Sequence, residues 1–115
     1  MLAPGAARKV IVHLNEDTNS AADFLHNEIL AFLYRNGVAG ASVLRPHAGF
    51  GSHHRLHTAG AGNEEGEHLP VRIEFLESPE VVERLLPQLC DLVTDGLIEM
   101  HPTTIVKSAA RVQPV

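Results

Sequence analysis

Five of the chain's eight histidines, five of its nine glycines and three glutamates fall in one stretch, RPHAGFGSHHRLHTAGAGNEEGEHLP, Arg45 to Pro70. Two chemistries suit those residue types. Arg45 and Arg55 offer guanidinium forks for bidentate contacts to an anion, and the Thr58 hydroxyl with the glycine amides supplies donors for its remaining oxygens. Gly49, Phe50 and Gly51 permit sharp backbone turns and close approach of a ligand, with Phe50 as either a surface for a base to stack on or a hydrophobic plug. The second chemistry is metal binding. His53, His54 and His57 are spaced three and four residues apart, which puts imidazoles on one face if the stretch is helical. Neutral imidazoles hold zinc, copper or nickel, and His47, His68 or the neighbouring glutamates could complete the shell.

Several sharper motifs are absent. In a dinucleotide fingerprint beginning at Gly49 the sixth position needs glycine, and here it is His54; no Gly-Lys-Ser/Thr occurs. No His-Glu-x-x-His and no cysteine pair supports a dedicated zinc centre. Neither a serine nor a cysteine stands in a recognisable nucleophile setting, so no catalytic residue is assigned and no enzyme is expected. Glu64, Glu65 and Glu67 read as a solvated charge run within a small, polar segment.

The formal charge of −5 argues against broad nucleic-acid binding, which needs clustered basic residues. That charge is uneven. Up to His57 five basic residues face four acids, whereas from Thr58 onward four basic residues face ten acids, so an anion should prefer the first half. A single cysteine, Cys90, excludes an internal disulfide, and its Leu-rich surroundings predict a small core filler. No run of 18 apolar residues predicts a membrane span and no signal-peptide core opens the chain, so a cytoplasmic protein without membrane insertion is expected.

The elements that must position this stretch follow from periodicity. Arg8 to Leu14, RKVIVHL, is short and β-branched and predicts a central strand. Ser20 and Asp23 are spaced like a capping box ahead of a helix with Ala21, Leu25, Ile29 and Phe32 on one face, stopped by Arg35 and Gly37. GASVLRP predicts a second strand and LPVRIEFLE a third, with the unusual segment between them. Ser78 and Pro79 open a second helix whose stripe is Val82, Leu85 or Leu86, Leu89 and Val93; Pro87 predicts a kink or restart and Gly96 a stop. LIEMHPTTIV predicts a fourth strand, and Pro102 makes it an edge or a bulged strand.

The order β-α-β-β-α-β with right-handed crossovers gives an α+β, ferredoxin-like fold: a four-stranded antiparallel sheet with both helices on one face. One domain spans 1–115, with a flexible N-terminus at 1–7, a mobile loop at about 48–68 and a C-terminal tail at 107–115. The helix-free face would carry Ile11, His13, Leu44, Arg72, Glu74 and Leu76. That mixture is too apolar for water and too polar for a core, as at a subunit interface.

The run GVAGASVLRPHAGFGSHHRLHTA, followed by LPVRIEFLESPEVVERLLPQLCDLVTDGLI, resembles the PII-like proteins of the domain-of-unknown-function 190 family. The strand running into Gly-Phe-Gly, then Arg55-His57-Thr58 and Leu69-Pro70, carries the likeness, which extends from about Val10 to Val106. The resemblance implies a homotrimer and a long loop between the second and third strands, like the T-loop of PII signalling proteins. The leading expectation is a non-enzymatic sensor that binds a small anionic effector, an adenine nucleotide first, in clefts between subunits, with Arg45, Gly49, Phe50, Gly51, Arg55, His57 and Thr58 as its site. The loop would then report occupancy to a partner protein. Two alternatives stay open: a divalent-metal-binding trimer using His53, His54 and His57, and an oligomeric interaction module whose loop docks a membrane transporter.

Overall fold

The structure, a computed structural model, describes residues 2–15, 25–50, 54, 56–58 and 70–111. Among these the elements are β1 (Gly5–Leu14), α1 (Leu25–Arg35), β2 (Ala41–Leu44), β3 (Ala48–Gly49), β4 (His57–Thr58), β5 (Val71–Glu77), α2 (Pro79–Leu92) and β6 (Gly96–Ile105). One antiparallel sheet has the order β2-β5-β1-β6, and β3 pairs with β4 in a separate ribbon. The four-stranded sheet with two helices is the expected ferredoxin-like arrangement. The ribbon was not foreseen, since four residues of Ala-Gly and His-Thr carry no period of their own.

Alternation decides the two faces of the sheet. Val10, Val12 and Leu14 of β1 and Ile73 and Phe75 of β5 point to the helices, where they meet Ile29, Phe32 and Leu33 of α1 and Val82, Leu85 and Leu89 of α2. Each such fully buried side chain contributes about 1.5–3 kcal/mol of transfer free energy. β1 is central as expected, and it starts at Gly5, three residues before Arg8, where it pairs with Ile105. β6 lies at the sheet edge, which is where Pro102, lacking an N–H, is tolerated.

The helix ends follow their local chemistry. After Arg35, Gly37 takes a φ of 75°, and Val38 N–H donates back to the Leu33 carbonyl at 3.2 Å, a Schellman-type stop. At the start of α2, Ser78 Oγ accepts from Val81 N–H at 3.3 Å and Pro79 occupies the first turn. α2 runs unbroken through Pro87, whose side chain lies on the exposed face, so water can reach the carbonyl left without its N–H. The capping pair Ser20 and Asp23, and Ala21, lie outside the described residues.

Two expectations are corrected. Cys90 is exposed and does not fill the core, because the buried stripe passes through Leu89 and the next residue is turned about 100° away. Gly96 does not stop α2, which ends at Leu92 with Val93 as its cap. It opens β6 instead, where a Cβ would lie 2.0 Å from the His13 carbonyl oxygen, so only glycine fits this close crossing of two strands.

A buried carboxylate joins the loops at one end of the sheet. Glu77, 5% exposed, accepts from Ala39 N–H at 2.8 Å and from Ser78 N–H at 3.3 Å, tying the turn before β2 to the start of α2.

Candidate functional site

The register places the outer face directly. Leu44 of β2 pairs with Arg72 of β5, and Arg72 pairs with His13 of β1, so these three side chains form one row. The next row holds Ser42, Glu74, Ile11 and Glu99, and the one after it Leu76, Lys9 and His101. Ile11, His13, Leu44, Arg72, Glu74 and Leu76 therefore share the helix-free face, as their alternation predicted.

At the end of the first row, where the chain leaves β2 and enters β5, the surface forms a cavity of about 380 Å³. His13, Leu44, Arg45, Pro46, Pro70 and Arg72 line it. A proline flanks each strand here, Pro46 after β2 and Pro70 before β5, and Pro46 disfavours helical backbone at Arg45. A larger cavity of about 710 Å³ lies between α1 and α2 and contains nothing of the Arg45 to Pro70 segment.

Arg45 is exposed, and its Nη2 donates to Nε2 of the buried His26 on α1 at 3.1 Å. The bond needs a lone pair on Nε2, so the imidazole that receives it is neutral. No carboxylate among the described residues pairs with Arg45. Arg72 is different: its Nη2 lies 2.6 Å from Glu74 Oε1, in an ion pair whose angle leaves that buried oxygen without a hydrogen-bond donor. Lys9 Nζ approaches the other Glu74 oxygen at 3.8 Å. The cavity thus joins one guanidinium paired with a carboxylate to one that has no carboxylate partner among the described residues.

Beside the cavity, three titratable groups bridge β1 and β6. Glu99 receives His13 Nε2 at 2.9 Å on one oxygen and His101 Nε2 at 2.5 Å on the other. The hydrogen bonds from His101, then from His13, hold its carboxyl below the usual value. Sequence reasoning placed His13 on this face but missed its pairing with Glu99, which depends on the β1–β6 register.

The sequence-predicted site residues are only partly brought together. Arg45 lines the cavity, and Gly49 packs on Pro70, where an added Cβ would find ordinary contact at 3.8 Å. Gly49 is therefore not required by its protein neighbours, and its φ is not in the left-handed region. Phe50 is 58% exposed, not a buried plug, and its ring stacks on His54 at a centroid distance of 5.3 Å. His54 takes a φ of 59° in making that contact. Gly51, His53, Arg55 and His68, and the side chains of His57 and Thr58, lie outside the described residues. Among the described residues no group of three His, Cys, Asp or Glu side chains is arranged to hold a metal ion.

A family model matches residues 7–105, both helices and the sheet apart from the first two residues of β1, and its family is DUF190, described as Uncharacterized ACR. The chain belongs to the DUF190 family. Its solved relatives in fold include CPII, a nitrogen regulatory PII-like protein from Thiomonas intermedia, bound to ADP, AMP and bicarbonate. That likeness has a TM-score of 0.63 at 18% identity, over 93% of this chain and 94% of that one. The apo form of CPII matches with a TM-score of 0.53 at 15% identity, over 91% and 95% of the two chains. A chain from Thermus thermophilus, also described as PII-like, matches at 0.63 and 18% identity, over 91% and 94%. At these identities the likeness is one of fold, and the ligands belong to CPII.

Proposed function

We propose that this DUF190 protein is a non-enzymatic regulator of the PII-like type, which assembles as a trimer and binds a small anion, an adenine nucleotide first, in the cavity beside Arg45. The observation that carries the reading is the state of Arg45: an exposed guanidinium on the cavity wall, positioned by a neutral imidazole, with no described carboxylate to cancel its charge. Arg72 and His13 line the same wall, and Phe50, exposed nearby in sequence, offers a ring face for a base. CPII, with the same fold, carries ADP, AMP and bicarbonate, and this supports the ligand class.

The trimer is supported by the outer sheet face, where Leu44 and Leu97 are 42% and 55% exposed among paired charges. A cavity open on that face becomes a closed cleft when a second copy covers it. The segment 48–68 leaves the cavity wall directly after Arg45 and Pro46, so an anion that gripped both Arg45 and Arg55 would favour one arrangement of that loop. A partner protein then reads the loop. No helix among the described residues is long and apolar enough to cross a membrane, so a membrane transporter enters only as that partner.

Thermal unfolding with ADP, AMP, ATP, bicarbonate and zinc tests the reading, because a ligand selective for the folded state raises the melting temperature. A rise with a nucleotide alone is expected. A rise with zinc alone would transfer the function to the loop histidines, and no response would leave the interaction module. Light scattering tests the assembly: a trimer is expected, and a monomer at micromolar concentration would remove the cleft between subunits.

A further inference from the structure

Resting on the anion-binding reading above, we infer that His13 is a proton-dependent third cation of the cavity, so that this site takes up its anion together with a proton. Glu99, as a carboxylate, accepts from Nε2 of His13, so that nitrogen carries hydrogen in either charge state of the ring. The nitrogen that gains or loses the titrating proton is therefore Nδ1. The Glu99 bond holds the ring through Nε2, so a proton added at Nδ1 changes the charge at the cavity wall without needing a new rotamer.

The charged groups around His13 decide what that charge does. On β1 there is Lys9; on β5, Arg72 and Glu74; on β6, Glu99 and His101; and after β2, Arg45. Asp95, just before β6, is engaged by the Asn15 side chain at 2.6 Å. Lys9 and Arg72 are matched by Glu74 and Glu99, so the face balances while both imidazoles are neutral. With both carboxylates already set against Lys9 and Arg72, neither is a spare counter-charge for an imidazolium at His13. Proton uptake at His13 then leaves an excess positive charge beside Arg45, which no carboxylate among the described residues compensates, and an anion in the cavity is the counter-charge available to it.

Isothermal titration of ADP into the wild-type chain and into His13→Gln, at pH 5.5 and 8.5, tests this. The nucleotide's own ionisation is common to both proteins and cancels in the comparison. Converting one contact from neutral to charge-assisted predicts an extra gain on the order of tenfold at the lower pH in the wild type, absent from His13→Gln. His101→Gln shares Glu99 but does not line the cavity, and should keep the wild-type pH dependence. Equal pH dependence in wild type and His13→Gln, or its equal loss in His101→Gln, would overturn the assignment of His13. ADP failing to bind the wild type at either pH would overturn the anion-binding reading itself. Should His13→Gln not fold, NMR titration of the His13 ring in the wild type replaces it: its midpoint should rise when ADP is added, and an unmoved midpoint overturns the inference.

Discussion

Replacing Gly96 by alanine attacks the crossing that holds His13 in place. The added Cβ would stand 2.0 Å from the His13 carbonyl oxygen and 3.1 Å from the Leu14 Cα, both main-chain atoms that cannot swing aside. Real Cβ contacts essentially never fall under 3.0 Å, so the two strands must part by at least 3.0 − 2.0 = 1.0 Å at this point. Parting them removes the Leu14–Gly96 pairing and the bond from Asn15 N–H to the Asp95 carbonyl at 3.0 Å. That backbone bond at about 1 kcal/mol, with a similar loss from the parted strand pairing around it, makes a loss of about 2 kcal/mol. For a domain of this size that lowers the melting temperature by about 8 °C, at about 4 °C per kcal/mol. Calorimetry or circular dichroism on the two proteins reads it. A melting temperature within about 2 °C of the wild type would refute the steric argument, because it would mean that β6 reaches β1 by another path.

Glu77→Ala leaves the Ala39 and Ser78 amides without their carboxylate acceptor; two charge-assisted bonds, one of them long at 3.3 Å, predict a loss of about 2–4 kcal/mol in urea unfolding, whereas Glu80→Ala on the exposed side of α2 should change little. Glu99 gives a pH signature. Its folded carboxyl titrates below the ordinary 4.5, so near that pH the unfolded chain binds more protons, and the stability that Glu99 contributes is complete above about pH 4.5 and fades as pH falls through the lower folded value. The difference in melting temperature between wild type and Glu99→Gln should therefore be present at pH 6 and shrink towards pH 3; a difference that grew on acidification would contradict the sign.

The fold was readable wherever a period ran long enough. The alternation of Val71, Ile73 and Phe75, the helical stripe of Val82, Leu85 and Leu89, and Pro102 marking an edge strand each point to one structure. What stayed hidden depends on register between distant segments. Gly96 reads as a helix stop from its neighbours, and only its pairing with Leu14 shows that it serves a strand crossing. Glu77 ends an alternating strand like any surface acid, but its carboxylate is buried because the Ala39 turn, 38 residues away, folds over it. Arg45 stood out in the sequence as a candidate anion ligand, from the charge split. Its partner His26, and the company of His13 and Arg72 in one cavity, come from three strands and a helix meeting, which composition does not encode. Cys90 shows the opposite limit: a Leu-rich neighbourhood suggests burial, yet one residue's rotation about the helix axis puts it in water.

The central claim is that Arg45 holds an anionic ligand in the cavity beside β2, and calorimetry of ADP binding to wild type and Arg45→Ala tests it most directly. Removing a charge-assisted bond of roughly 1.5–3 kcal/mol predicts an affinity loss of about tenfold to a hundredfold. An ADP affinity that is the same in both proteins would contradict the account.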